Sequence, residues 1–131
     1  MATVTAKLTI TSANLLSQSL NLTATSTATA THTTGLARAA VTSTAQATAS
    51  GQVTVYTASS YTAPSYLYIK NTSTVSTNYI YIYADDAADS TIVRLKGGEF
   101  AFIPTNSGVS LKAYTATSGT VVEYMVYGTE A

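Results

Sequence analysis

Side chains alternate between two classes along most of this 131-residue chain, and this period of two restricts the fold more than any other feature. From Thr3 to Ile10, aliphatic or small residues alternate with Thr and Lys. Successive side chains of a β-strand point to opposite faces, whereas a helix repeats every 3.6 residues. Residues that favour strands dominate, and the strong helix formers Leu, Glu, Lys and Arg are scarce. The sequence therefore predicts an all-β protein.

Turn residues divide the chain into about eight to ten short predicted strands, without a convincing helix. In the C-terminal half the predicted strands are Val53 to Thr57, Tyr66 to Lys70, Tyr79 to Tyr83, Thr91 to Leu95, Glu99 to Ile103, Val109 to Tyr114 and Val121 to Tyr127. We expect Pro64 in a loop, Pro104 at the end of a strand and Gly97-Gly98 in a hairpin turn. Strands of this spacing predict a single-domain antiparallel β-sandwich, jelly-roll-like, over residues 1–131.

The first fifty residues are rich in Thr and Ala and form a candidate N-terminal extended segment. From Asn21 to Thr34, Thr occupies one face of the predicted strand and mostly small residues occupy the other. The candidate contact residues of this arm are Thr23, Thr25, Thr27, Thr29 and Thr31. Two interpretations stay open: residues 1–50 pack in the same domain as the main hairpins of residues 51–131, or they run as an arm onto a neighbour.

The stretches Tyr66 to Lys70 and Tyr79 to Tyr83 carry bulky residues on both faces, with Leu or Ile opposite Tyr. Because they flank a polar loop, we expect them to pair as a long antiparallel hairpin. Pairing would join five side chains into one aromatic surface, namely Tyr66, Tyr68, Tyr79, Tyr81 and Tyr83. Tyr combines a large apolar area with a hydroxyl, so we interpret this surface as a protein-binding interface. The alternatives are a second core layer and stacking on sugar rings.

Charge is scarce: 9% of residues are charged and the net charge is zero, against about 25% charged residues in a typical domain. A nucleic-acid partner is not expected, because phosphate binding requires a basic patch. A membrane is not expected either, because no run of about 18 apolar residues is present. The N-terminus lacks the pattern of a signal peptide, so we expect synthesis in the cytoplasm. So few charges indicate that much of the surface is covered by a partner.

No group of residues has the pattern of a catalytic or metal site, so we expect neither an enzyme nor a cofactor. The single histidine, His32, lies in a Thr/Ala strand far from any acid. Three aspartates share one predicted loop, namely Asp85, Asp86 and Asp89. They lack the spacing of a calcium-binding loop, and we interpret them as a solvated turn. Glu99 and Glu123 are isolated acids on separate strands, a weak signal for paired carboxylates.

Four stretches, "GLARAAV", "YLYIKNTS", "GGEFAFIP" and "VEYMVYG", occur in this order along the chain. They resemble small all-β virion proteins of tailed bacteriophages, especially those encoded near the head genes of cyanophages and marine phages. The resemblance covers most of the chain, and its motifs mark strand edges and turns. It implies a capsid decoration (cement) protein or another minor structural protein, and no catalytic residue.

We therefore expect a non-enzymatic protein on the capsid surface of a virion, whose partner is the major capsid protein. A homotrimer on threefold positions would match the symmetry of the lattice beneath. The alternative is a tail or fibre module that contacts glycans of the host surface through its tyrosines.

Overall fold

The computed structural model describes residues 1–15, 17–86, 90–105 and 108–131. Within these ranges the chain forms eleven strands, which confirms the predicted all-β class. The strands are β1 (Ala2–Ser12), β2 (Leu20–Ala30), β3 (His32–Thr33), β4 (Ala37–Val41), β5 (Val53–Tyr56), β6 (Tyr61–Asn71), β7 (Ile80–Ala84), β8 (Thr91–Leu95), β9 (Phe100–Thr105), β10 (Leu111–Thr115) and β11 (Thr120–Glu130). A 3₁₀ helix, Ala58–Ser60, precedes β6. In the described part of the chain, no helix is long and apolar enough to cross a membrane.

The strands form two antiparallel sheets and a separate hairpin. The four-stranded sheet has the order β5-β10-β7-β8. In the five-stranded sheet, β11 pairs on one side with β6, which pairs in turn with β9. On its other side β11 pairs with β3 and β4, at different parts of its length. The strands β1 and β2 pair along their whole length and only with each other, so they form a two-stranded hairpin outside both sheets.

The core lies between the two sheets. Leu67 and Ile69 of the five-stranded sheet belong to one buried cluster with Ile80 and Ile82 of the four-stranded sheet, and all four are fully buried. Because side chains alternate along a strand, each central strand contributes every second residue to this cluster. The arrangement is a β-sandwich, as the sequence predicts.

Most connections between consecutive strands cross from one sheet to the other. Among the described strands, only β1–β2 and β7–β8 are hairpins of consecutive strands. The prediction of a hairpin turn at Gly97-Gly98 was therefore wrong, because this turn links β8 and β9 in different sheets. A side chain at Gly97 would collide with the carbonyl of Val75, and Gly98 has a φ of 87°. Close packing at one position and a left-handed backbone at the next explain this glycine pair.

Both prolines lie inside strands, contrary to the prediction. Pro64 belongs to β6, at the place where the register against β11 shifts between Gly128 and Thr129. Pro104 belongs to β9, which pairs with β6 alone. A bulge and an edge strand are the two places in a sheet that tolerate a residue without a backbone N–H.

The first fifty residues divide into two parts at Ala30. Residues up to Ala30 form the β1–β2 hairpin, whereas β3 and β4 belong to the five-stranded sheet. Val41, at the end of β4, is fully buried in the core. Residues after Ala30 therefore pack with the main strands, whereas the hairpin before it lies outside both sheets.

Candidate functional site

The predicted single tyrosine surface does not exist, because β6 and β7 lie in different sheets. Their aliphatic residues face each other across the core instead of lying side by side. As a result, Tyr66 and Tyr68 lie on the outer side of one sheet, and Tyr79 and Tyr81 lie on the outer side of the other. The prediction that Tyr79 and Tyr81 lie opposite Ile80 and Ile82 is confirmed, since both isoleucines are fully buried.

The outer side of the four-stranded sheet carries a cluster that we call the tyrosine face, made of Tyr79, Tyr81, Tyr83 and Tyr114. The rings of Tyr81 and Tyr114 stack across paired strands with their centroids 4.9 Å apart. The guanidinium of Arg94 lies 5.0 Å from the centre of the Tyr79 ring, within cation–π distance. The half-buried rings of Tyr79 and Tyr81 therefore form a stiff aromatic surface with a cation at its side.

Within the tyrosine face, Tyr83 has a structural role. Its side chain is buried, and its hydroxyl donates a hydrogen bond of 2.7 Å to the side-chain oxygen of Gln52. The amide nitrogen of Gln52 donates in turn to the carbonyl of Gln46, at 2.6 Å. Tyr83 therefore fixes the segment before β5 and offers little surface to a partner.

The outer side of the five-stranded sheet carries a second cluster that we call the aromatic face. Its members come from β6, β9 and β11, and they are Tyr66, Tyr68, Phe100, Phe102, Met125 and Tyr127. The Tyr66 ring stacks between Phe102, at 5.7 Å, and Tyr127, at 5.3 Å. Burial raises the pKa of the Tyr127 hydroxyl above its ordinary value, and the neighbouring Tyr66 raises it further. Phe100 and Phe102 remain 58% and 38% exposed, so the face is apolar and only partly covered.

A charged cluster lies at the edge of the aromatic face. The Nε atom of Arg38 donates a hydrogen bond of 2.7 Å to Glu123, and the hydroxyl of Tyr68 donates to the other carboxylate oxygen at 3.1 Å. The bond from Arg38 is the main reason that the pKa of Glu123 lies below its ordinary value. Burial, and then the hydrogen bond to Glu123, raise the pKa of Tyr68. The cluster fixes the orientation of Tyr68 within the aromatic face.

The β1–β2 hairpin has two unlike faces. One face is a threonine ladder, in which Thr23, Thr27 and Thr29 of β2 pair with Thr9, Thr5 and Thr3 of β1, and Thr25 pairs with Lys7. The sequence predicted one column of threonines, and the pairing of the strands produces two. The other face is apolar, and its burial decreases along the hairpin. Ala30, at the base, is 6% exposed, whereas Leu8, Ile10 and Leu22, near the turn, are 42% to 50% exposed.

The apolar face of the hairpin and the aromatic face of the sheet line one open groove of about 1050 Å³. Along its described lining, Lys7 is the single charged residue, and its strand position belongs to the threonine ladder. The hairpin wall also includes threonines, but the lining is mainly apolar, and a groove of this kind binds other apolar surfaces. Its chemistry therefore suits association with a protein.

Thr31 anchors the base of the hairpin and does not belong to the exposed ladder. Its backbone nitrogen donates to the carbonyl of Gly128, and its hydroxyl accepts a hydrogen bond from the backbone nitrogen of Glu130, both at 2.9 Å. Its neighbour His32 pairs with Gly128 in the sheet, and the imidazole lies 5.1 Å from the Tyr61 ring. Thr31 and His32 therefore connect the hairpin to β11.

Among the described residues, the acids and the histidine do not converge on a reactive centre. Asp85 forms an ion pair of 2.8 Å with Lys112, while Asp89 lies outside the described residues. Glu99 accepts a hydrogen bond from the backbone nitrogen of Lys96 in the turn before β9. Over the described ranges, no three residues of the types His, Cys, Asp and Glu are grouped as metal ligands. The surface features that the described residues do form, namely the groove, the tyrosine face and the aromatic face, are apolar and aromatic.

Several members of both faces lie outside the predicted tyrosine surface. Tyr114 follows the alternation of β10, in which Leu111 and Ala113 are buried, so its outward position was open to prediction. Phe100 and Phe102 alternate with Ala101 in the same way. That these residues meet the tyrosines depends on which strands are neighbours, and alternation gives no information on that.

No protein-family model matches this chain, and neither a curated protein nor a solved structure matches it. The function is therefore inferred from the hairpin, the groove and the two aromatic surfaces.

Proposed function

We propose that this chain is a non-enzymatic virion protein of a tailed phage that binds the outer surface of the capsid and stabilises the head. The observation that carries the proposal is the β1–β2 hairpin, whose apolar face is half exposed near its turn. An isolated two-stranded hairpin is marginally stable in water, so this one requires a further surface to cover its apolar side. A projecting element of this kind suits attachment to a neighbour.

The rest of the molecule supports a structural role. Fully buried aliphatic residues from both sheets form one cluster, which makes the sandwich a rigid platform. With 9% charged residues, the chain has the composition of an interface core, where charged residues are depleted. A decoration protein needs matched surfaces and many copies acting together, and it needs no reactive group. The proposed partner is the major capsid protein, and trimers on threefold positions would follow the symmetry of the lattice.

The test compares phage heads with and without this protein. Heads that lack it should assemble and package DNA, yet lose the DNA at a lower temperature or after osmotic shock, because the contacts between capsomers are fewer. Adding back the purified protein should restore the stability of the heads. Heads of unchanged stability, together with lost adsorption to host cells, would reject a decoration role.

The second candidate is a tail or fibre module that binds host glycans, and the tyrosine face favours it. The half-buried rings of Tyr79 and Tyr81, with Arg94 beside them, offer aromatic and cationic contacts to a sugar. The variant Tyr81→Ala separates the candidates. It should lower glycan binding if the tyrosine face binds sugar, and it should lower attachment to heads, by about 2 kcal/mol for a central interface tyrosine, if that face meets the capsid.

A further inference from the structure

We infer that the groove between the β1–β2 hairpin and the aromatic face is filled by the hairpin of a second copy of this chain. The inference rests on the proposed function, because it names the surface that the projecting hairpin meets. In the arrangement that we propose, Leu8, Ile10 and Leu22 of one copy pack on Phe100 and Phe102 of the next. Each copy then provides one hairpin and receives one.

The two surfaces match in chemistry. Leu8, Ile10 and Leu22 project from one side of the hairpin and are about half exposed. Phe100 and Phe102 are the exposed aromatic residues of the groove on the sheet side. These are five of the large apolar side chains that the described surface leaves in water, and one association would cover all five.

The hairpin is held away from the aromatic face of its own sheet. Hydrogen bonds of Thr31 to Gly128 and Glu130 hold the base, and β3 follows after this single residue. In this position the hairpin leaves the groove open, and the hairpin of another copy is able to enter it, as in exchange of an element between protomers.

The exposed area has the size that such an interface requires. The accessible surface of the chain is 7315 Å², whereas a compact monomer of 13.6 kDa exposes about 6,600 Å². The surplus of roughly 700 Å² is close to the roughly 800 Å² that each partner contributes to a standard interface.

The groove has little charge along its described lining, so it matches this charge-poor chain better than it matches an acidic or basic partner. Lys7 is the one charged residue along the described lining, and its position is on the opposite side of the hairpin from Leu8. Two copies that meet through this groove therefore bring few charged residues to the interface. A cyclic exchange leaves no groove open and so closes a ring of defined size.

The first test measures the mass of the purified full-length chain by light scattering over a range of concentrations. We expect a closed oligomer, which the double variant Leu8→Thr/Ile10→Thr should weaken by about 100-fold in dissociation constant, because two aliphatic side chains leave the interface. Thr favours strands, so the hairpin should persist. The matched control, Leu36→Thr/Ile92→Thr, changes the same residue types at exposed positions outside the groove and should leave the oligomer intact. A monomeric wild type, or an oligomer that tolerates the hairpin variant, would overturn the inference.

The second test uses the absence of cysteine from the sequence. A Leu8→Cys chain and a Phe100→Cys chain, mixed and oxidised, should give a disulfide-linked heterodimer, since neither chain is able to form this bond alone. A mixture of Leu36→Cys and Ile92→Cys chains is the control and should give little product. If the double variant Leu8→Cys/Phe100→Cys forms the bond only within single chains, the hairpin covers its own sheet and the inference is wrong.

The two proposals fail separately. A monomeric chain that still stabilises heads would reject hairpin exchange and leave the decoration role standing. A chain that exchanges hairpins but does not bind heads would reject the decoration role and leave the exchange standing.

Discussion

At the scale of single residues, polar side chains in this protein mainly fix the position of aromatic ones. Glu123 holds Tyr68 and Arg38 together on the outer side of the five-stranded sheet. Tyr83 likewise reaches Gln52. The aromatic rings therefore have defined orientations before any partner arrives, and this reduces the entropy lost on binding.

Glu123 should make the stability of the protein dependent on pH. Its pKa in the folded state is lowered, mainly by Arg38, from an ordinary value of 4.5. The carboxylate therefore stabilises the fold fully above the ordinary value, and the contribution is lost as the pH falls through the lower, folded value. Urea unfolding should show Glu123→Gln less stable than wild type at pH 7, with a difference that shrinks below pH 4.5.

Glu130→Gln, at the exposed end of the same strand, is the control for this measurement and should be about as stable as wild type at pH 7. A Glu123→Gln chain as stable as wild type at pH 7 would show that the Arg38 pair contributes nothing, as is common for exposed ion pairs. The Arg38 side chain is 67% exposed, so dissolved salt should screen its interaction with Glu123. Added salt should therefore reduce the difference in stability between wild type and Glu123→Gln.

At the scale of elements, the connection from β6 to β7 passes from the five-stranded sheet to the four-stranded sheet, and it therefore decides on which sheet each tyrosine lies. Asn71, fully buried at the end of β6, donates to the carbonyls of Asn78 and Leu95 at 2.7 and 3.0 Å. Its side-chain oxygen accepts a hydrogen bond from the backbone nitrogen of Ser73. One amide side chain thus ties the end of β6, the connecting loop and the end of β8.

Asn71→Ala should destabilise the protein strongly, because two carbonyls and one N–H lose their partner in a buried place. We expect a loss of about 3 kcal/mol in the free energy of unfolding, measured by urea denaturation. Asn21→Ala, at an exposed position of the hairpin, is the matched control and should change the free energy by about 0.5 kcal/mol or less. If the two variants lowered the free energy of unfolding by similar amounts, the connection from β6 to β7 would not depend on Asn71.

At the scale of the whole molecule, we expect the sandwich and the hairpin to serve different properties, namely the stability of the fold and association with other chains. The buried cluster between the sheets takes its first residue, Val41, from β4 and none from the hairpin. Stability should therefore reside in the part of the chain after the hairpin, and association should reside in the hairpin itself.

A chain that begins at Ala30 should keep its fold and lose its association. We expect a melting temperature within about 5 °C of the wild type, corresponding to about 1 kcal/mol for a domain of this size, while the oligomer and attachment to heads disappear. A chain that begins at Ser50 also lacks β4 and the buried Val41, and it should fail to fold. If the chain from Ala30 is unfolded, the hairpin is part of the folding unit.

The sequence by itself determined what depends on neighbouring residues, namely the strands and the side of each strand that is buried. Ile80 and Ile82 are buried opposite Tyr79 and Tyr81, as alternation predicts. Only the tertiary structure decided which strands are neighbours, because pairing depends on contacts between distant residues. It separated Tyr66 from Tyr81, and it placed Pro104 within an edge strand. It also brought Leu8 and Phe100, far apart in the chain, to the two walls of one groove.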